Sequence, residues 1–438
     1  MYSRKHFLRR LMSIEAHSLS ENIHLEIKKS RRICNPENYL KAGNMITTNL
    51  LLFGRVRIGR GHNKFPKISR RYGLVYCTRT YILTMIDEMV RRGYIDQRLG
   101  YGNKLDKGNK TLLIPTNKLI QEFNTITLGE VLLKEEIELR DKKLASQKRG
   151  KSIDYSDNEF TLKIRDEVKF INEAIKSVDI SLIEESKILA KNFPISLFNG
   201  SDIQKDLYLS QPPFLNSSSN SQYYHSSPLE PGQSLPNFEI RNVFNGFRRI
   251  FTGGDFAFGG RYHDVGCFSY QSMNKGIRAN ILIDGEPTVE LDFSNMFLMM
   301  LYHTEGIDYQ SDGYEIDGYE RDDVKLAVNI VFNTKNKQGA VGALRNNGIS
   351  DGGKLIDLIK MKHSRLEKYF YSEIANELMR KESDIATEII TIGISEGIIS
   401  LPLHDSFIVQ KKNENKMEEI MCDVYSRTFN YGPRIKTN

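Results

Sequence analysis

The stretch LPLHDSFIV, residues 401–409, sets His404 and Asp405 inside an apolar sequence, with Leu401 and Leu403 before the pair and Phe407, Ile408 and Val409 after it. Apolar residues on both sides predict a core strand hairpin. An unpartnered carboxylate there costs several kcal/mol, so Asp405 needs a cation or hydrogen-bond donors beside it. A second carboxylate stands in VELDFSNMFLMMLYHTEG, residues 289–306. Val289, Glu290 and Leu291 read as a strand with Asp292 at its end, and NMFLMMLYH continues as a helix. Two aspartates from separate strands, together with substrate phosphates, form a pocket for a pair of magnesium ions. Between them, GYERDDVKLAVNIVFN carries Arg321 and Lys325, four apart and so on one helix face. Two cations placed there would hold a triphosphate while the metals bridge its oxygens. Each feature also has a plainer reading: Asp292 as a helix N-cap, and the two cations as surface partners of Asp322 and Asp323.

The elements that must position these groups come after a long approach. Residues 51–86 hold no Asp or Glu but eight cations, Arg55, Arg57, Arg60, Lys64, Lys67, Arg70, Arg71 and Arg79, with Phe53, Phe65, Tyr72, Tyr76 and Tyr81 interleaved. That pattern suits a surface that neutralises phosphates while aromatic rings pack or stack. Thr78 is a candidate N-cap, Ile82, Ile86, Met89 and Val90 recur at helical spacing, and Gly93 stands where a C-terminal glycine belongs. Two strand-like runs, YIDQRLGYG and NKTLLIP, follow around a lysine-bearing tip. A capped helix and a Gly-rich hairpin resemble a winged helix-turn-helix, which would bring the helix into a groove and the hairpin onto the backbone. Residues 121–200 read as a charged helical connector, and Ser210 to Pro236, rich in Ser and Pro, as a linker. The expected organisation is therefore α+β, with a nucleic-acid-binding domain over 1–120, a connector over 121–209, the linker over 210–236 and a catalytic domain over 237–438.

Composition agrees with a globular chain. The 438 residues carry 27% charged and 39% hydrophobic side chains, and a formal net charge of +7 that favours polyanionic partners. No apolar run approaches the ~18 residues of a membrane helix. The four cysteines, Cys34, Cys77, Cys267 and Cys422, lack CxxC spacing and read as reduced thiols of a cytoplasmic protein.

Carboxylate strand, Arg-x-x-x-Lys helix and His-Asp hairpin, in that order, resemble the palm and fingers of DNA polymerase family A and the related phage-type single-subunit RNA polymerases. DFSNMFLMMLYH is similar to motif A, with Asp292 in the metal-ligand position, an aromatic at Phe293, Ser294, an amide at Asn295 and a late histidine at His303. Arg321 and Lys325 match the motif B pair that holds nucleotide phosphates. His404 and Asp405 match motif C, whose aspartate is the other metal ligand and whose histidine lies near the primer end. GIRANILIDGEPTVELDFS resembles the lead-in to motif A, with Arg278 in its arginine position, and GGRYH, with Arg261, echoes the stretch that lies near the duplex. ESDIATEIITIGISEG, including Asp384, resembles the helix before motif C. The resemblance covers roughly residues 245–412.

The resemblance implies a template-directed nucleotidyltransferase using Mg2+ or Mn2+, with DNA template and primer and nucleoside triphosphates as partners, in plasmid, phage or mobile-element replication. The alternatives are a single-subunit RNA polymerase or primase-like enzyme, a replication initiator or regulator with a degenerate palm, and a metal-dependent nuclease. Departures bear on sugar choice. Phe297 stands where the family places a Glu that screens the sugar, and Asn329 and Asn333 replace the motif B aromatics. Phe297 would exclude a 2′-hydroxyl by bulk, whereas the HDSF form of motif C points towards ribonucleotides. The fingers look shortened, and no exonuclease domain is recognisable.

Overall fold

Helical spacing of apolar residues shapes the N-terminal part of the chain, and strand alternation shapes the part that carries the carboxylates. In the computed structural model the described residues are 16–30, 35–53, 56–60, 78–98, 111–128, 135–142, 150–183, 237–240, 246–265 and 269–437. Helices and strands alternate along them, an α+β composition. Contacts divide the chain into two interleaved units. The first comprises Met1–Glu135, Asp179–Gly246 and Asp264–Gly285, and the second Glu136–Val178, Phe247–His263 and Glu286–Asn438.

In the first unit the helices Ala16–Ser30, Pro36–Phe53 and Arg79–Arg91 enclose a core of Ile23, Ile46, Leu50, Met85 and Ile86. Beside them lies an antiparallel sheet in the order β1 (Val56–Ile58), β3 (Thr111–Pro115), β2 (Ile95–Arg98), to which the central strand contributes the buried Leu113. The Arg79–Arg91 helix ends as its sequence predicts. Gly93 takes φ +72°, its N–H donates to Val90 C=O at 3.0 Å, and the Tyr94 N–H donates to Met89 C=O at 2.9 Å. This double bond is the Schellman closure, for which a residue without Cβ is favoured. Thr78 occupies the N-cap position but makes no side-chain capping bond. The hairpin tip between β2 and β3, the Ser/Pro-rich stretch and most of the acid-free basic run lie outside the described residues.

The helical reading of residues 121–200 is corrected by the structure. Only the Asn117–Gln121 turn and Glu159–Lys176 are helical among the described residues there, and three segments are strands. β4 (Thr125–Leu128) pairs parallel with β7 (Asn237–Ile240), β5 (Ile137–Leu139) parallel with β8 (Phe247–Phe251), and β6 (Ile180–Leu182) antiparallel with β10 (Ile281–Ile283). All three strands draw their hydrogen bonds from partners remote in the chain, so local charge density could not reveal them.

The second unit holds the carboxylates. Its Glu159–Lys176 helix is opened by a reciprocal cap between Asn158 and Thr161 and buries Ile164, Val168, Ile171 and Ile175. The Asn172 amide ties this helix to β8, donating to Phe247 C=O at 3.0 Å and accepting from the Phe247 N–H at 2.6 Å. Beyond β8 lies β9 (Gly259–Asp264), which carries GGRYH. In a separate group of strands, β11 (Glu286–Phe293) pairs antiparallel with β13 (Ser406–Gln410) and with β14 (Ile435–Thr437), while β12 (Ser400–Leu403) closes on β13. Val289, Leu291 and Phe293 of β11 are buried, leaving Glu290 and Asp292 on the other, more open face. Its other α-helices among the described residues are Met296–Thr304, Arg321–Asn333, Lys337–Asn346, Gly352–Lys362, Ala375–Ser395 and Glu414–Phe429.

Candidate active site

Register brings the two sequence-predicted aspartates together. Asp292 sits opposite Ser406 in the β11–β13 ladder, so Asp405, the next residue back, falls in the turn beside it. The Phe293 N–H donates to Asp405 C=O at 3.0 Å and fixes that turn. His404, the other turn residue, takes φ +58°, a conformation that costs a non-glycine residue roughly 1–2 kcal/mol. Burial pushes the Asp405 carboxyl above its usual range, and the neighbouring Asp292 charge pushes it the same way, while Arg261 and Lys325 oppose both. The hairpin of LPLHDSFIV thus has the form that the sequence predicts, and the cations near Asp405 relieve only part of its cost.

Arg321 and Lys325 share one face of the Arg321–Asn333 helix, which buries Val324, Ala327, Val328, Val331 and Phe332 on the other. Asn329 and Asn333 continue the polar face at the same four-residue interval. Lys325 is exposed and forms no ion pair among the described residues, yet its charge reaches Asp405. Arg321 is half-exposed and paired: its Nε donates to Asp312 Oδ2 at 2.8 Å, a guanidinium NH2 group reaches Asn295 Oδ1 at 3.3 Å, and the group lies over the Tyr314 ring. Asn295 takes a left-handed conformation, φ +57°, at the start of the Met296–Thr304 helix. Tyr314 is buried, and its phenol is pushed up to about 12, chiefly by that burial.

β9 adds groups that the sequence pointed to only weakly. Arg261 makes a bidentate pair with Glu382 of the Ala375–Ser395 helix, at 2.8 and 2.6 Å, and its guanidinium lies over the Phe297 ring, 5.4 Å from the centroid. Gly260 makes this approach possible. It takes φ +85°, and a Cβ there would lie 2.8 Å from Ser383 Oγ and 2.9 Å from Phe251 Cε1. Glu382 is 2% exposed and its carboxyl is raised to about 7, first by burial, then against Arg261 and with the Asp405 charge. His263, two residues after Arg261, is held near 4 by burial and by the adjacent His404.

Phe297 is half-buried against Arg261, whereas Leu298 and Leu301 turn into the core. Asp384 is half-exposed and pairs with Arg380 and, at 3.1 Å, with Arg249. Among the N-terminal cations, Arg60 donates to Gln97 at 3.0 Å and pairs with Asp87, and Arg79 Nε donates to the Arg60 carbonyl at 3.1 Å. Arg57 lies in β1; Arg55, Lys64, Lys67, Arg70 and Arg71 lie outside the described residues. Arg278 belongs to the first unit, where it donates to Met273 C=O at 2.9 Å.

Two residues of the site went unpredicted. Glu382 interrupts the apolar stripe of Leu378, Ile385, Ala386 and Ile389, a signal the sequence did carry. Lys436 has no such signal; it stands opposite Asp292 in the β11–β14 ladder and places Nζ 2.8 Å from Asp292 Oδ2.

No group of three or more His, Cys, Asp and Glu side chains able to hold a metal occurs among the described residues. Magnesium does not require one. It keeps several waters and is bound through one or two carboxylates plus substrate phosphates. Two aspartates in one corner, with Asp405 destabilised by the charge of Asp292, fit that pattern of hard oxygen donors. No protein-family model matches the chain, and no curated protein matches it significantly. No helix among the described residues is long and apolar enough to cross a membrane.

Proposed function

We propose that the chain is a template-directed nucleotidyltransferase with a family A-like palm in its second unit and a winged-helix-like nucleic-acid-binding element near its N-terminus. The observation that carries this reading is the juxtaposition of Asp292, at the end of the β11–β13 ladder, with Asp405 in the adjoining turn, where the Lys325 charge reaches Asp405. Asp292 and Asp405 would hold divalent cations, which when bound neutralise the triphosphate and acidify the attacking hydroxyl. Lys325, unpaired by any carboxylate among the described residues, would bind the triphosphate. Arg321 would join it by exchanging its half-exposed partner Asp312 for phosphate oxygens, a small cost because exposed pairs contribute at most about 1 kcal/mol. The Asn295 amide, held by Arg321, and the Phe297 ring, held under Arg261, would face the incoming nucleotide, with Phe297 the candidate sugar gate. His404 would stand at the primer end. Arg261 is committed to Glu382, so its contribution to a duplex would be made from that pair. The basic, acid-free run of residues 51–86 would recruit template.

Purified full-length chain, offered primed and unprimed DNA or RNA with Mg2+ or Mn2+ and with dNTPs or rNTPs in separate reactions, tests the reading. Template-dependent extension by wild type, absent from Asp405→Asn, is the expected result. No incorporation under any combination overturns it, and cleavage of the template strand would point to a nuclease instead.

A further inference from the structure

Lys436 poses a question that metal-dependent phosphoryl transfer does not answer. Its ammonium occupies one carboxylate oxygen of Asp292, where the proposed site needs an open ligand. The placement is built rather than incidental. β14 runs along the edge of β11 with Ile435 opposite Phe293, Lys436 opposite Asp292 and Thr437 opposite Leu291. The Ser294 N–H donates to Arg434 C=O at 2.7 Å just before the strand. The Arg434 guanidinium then clasps the loop 309–311, donating to the Tyr309 carbonyl at 2.9 Å, the Gln310 side chain at 3.2 Å and the Ser311 carbonyl at 3.3 Å. At the other end the Thr437 hydroxyl donates to Glu414 Oε1 at 3.0 Å. The backbone at Lys436 is thereby held, while its long side chain is 55% exposed and able to swing away. Asp405 is served by different cations, Arg261 and Lys325, so Lys436 belongs to Asp292.

We infer that Lys436 is a tethered counterion that occupies Asp292 until a divalent cation displaces it, so that β14 sets the metal concentration at which the site fills. This rests on the reading of Asp292 and Asp405 as cation ligands. Each divalent ion entering the site must first break the ammonium–carboxylate pair, which weakens apparent metal affinity by the strength of that pair. An exposed pair of this kind contributes up to about 1 kcal/mol, roughly a fivefold change in affinity.

Binding of Mn2+ to the full chain, followed by electron paramagnetic resonance of the free ion at fixed low ionic strength, reads this without reference to catalysis. Lys436→Gln should tighten Mn2+ binding about fivefold, Lys436→Arg should leave it near wild type, and Asp292→Asn should remove it in either background. Circular dichroism confirms that each variant is folded. Unchanged or weaker binding by Lys436→Gln, with binding still lost in Asp292→Asn, overturns the role of Lys436 alone. If wild type and Lys436→Gln both bind no Mn2+, or if Asp292→Asn and Asp405→Asn bind as wild type does, the cation site falls and the role of Lys436 with it.

Discussion

Asp405 is costly where it stands, and that cost makes it informative. Replacing it or Asp292 with Asn removes a formal charge from the corner that would bind metal, and nucleotide incorporation should fall by on the order of a thousandfold, about 4 kcal/mol of transition-state stabilisation. Thermal stability should stay level or rise in Asp405→Asn, because the variant ends a like-charge contact; a cooperative transition that moves sharply down would mark Asp405 as structural. Lys325→Ala separates binding from folding in another way. The side chain is exposed and unpaired among the described residues, so stability should change by less than about 0.5 kcal/mol. Steady-state kinetics should nevertheless show kcat/KM for the triphosphate falling at least about tenfold, ~1.4 kcal/mol. Glu382 carries a pH signature. Its folded carboxyl titrates near 7, above the 4.5 of an unperturbed Glu, so the native state holds the extra proton between those values. Its contribution to stability is complete below pH 4.5 and is lost as pH rises through 7. Relative to Glu382→Gln, wild type should therefore lose on the order of 3 kcal/mol across that window in urea titrations at successive pH values. A constant difference between the two proteins would show that Arg261 keeps Glu382 ionised throughout. Asp292 and Asp405 were legible in the sequence because each sits in an apolar frame that makes a carboxylate conspicuous. Lys436 was not, since its meaning depends on Asp292, 144 residues away (436 − 292); Glu382 showed as a break in an apolar stripe, but its partner Arg261, 121 residues away, did not.

Elements fix what those residues can do, and the tightest of them is β9 against the Ala375–Ser395 helix. Gly260→Ala would push a methyl group into Ser383 and Phe251 at a positive φ, and it should destabilise by 3 kcal/mol or more while loosening the Arg261–Glu382 pair. A thermal midpoint within a degree or two of wild type would show that β9 has room to retreat. The helices were the most readable elements. Arg79–Arg91 announces its glycine-terminated end, and Arg321–Asn333 separates an apolar face from a stripe of Arg321, Lys325, Asn329 and Asn333. The strands of residues 121–200 were hidden, because a three-residue strand such as Ile137–Leu139 is too short for periodicity to act on and exists only through pairing with β8. The β12–β13 hairpin was visible as two apolar runs, but the left-handed backbone at His404 was not, because only glycine advertises such a turn.

At the scale of the molecule, charge and connectivity govern behaviour. The acid-free run should give the full chain a nucleic-acid affinity that falls linearly in log–log form with added salt. Replacing Lys64, Lys67, Arg70 and Arg71 with Gln should reduce that slope by about 0.9 for each phosphate contact removed, as fluorescence anisotropy across a salt series would read. A slope indifferent to these four substitutions would place the interface elsewhere. The two units interleave, each drawing on three stretches of chain, and no pattern in composition signals where a chain leaves one unit and returns to it. The ladder that joins β11 to β13 has a kinetic side. Asp292 and Asp405 are 113 residues apart (405 − 292), with five helices of the second unit in whole between them. Closing a loop of that length must precede any reward from the contacts it creates, and topologies dominated by such distant pairings reach the native state slowly. The two carboxylates therefore come together only when that long loop closes, and a chain cut between them carries each on a separate fragment.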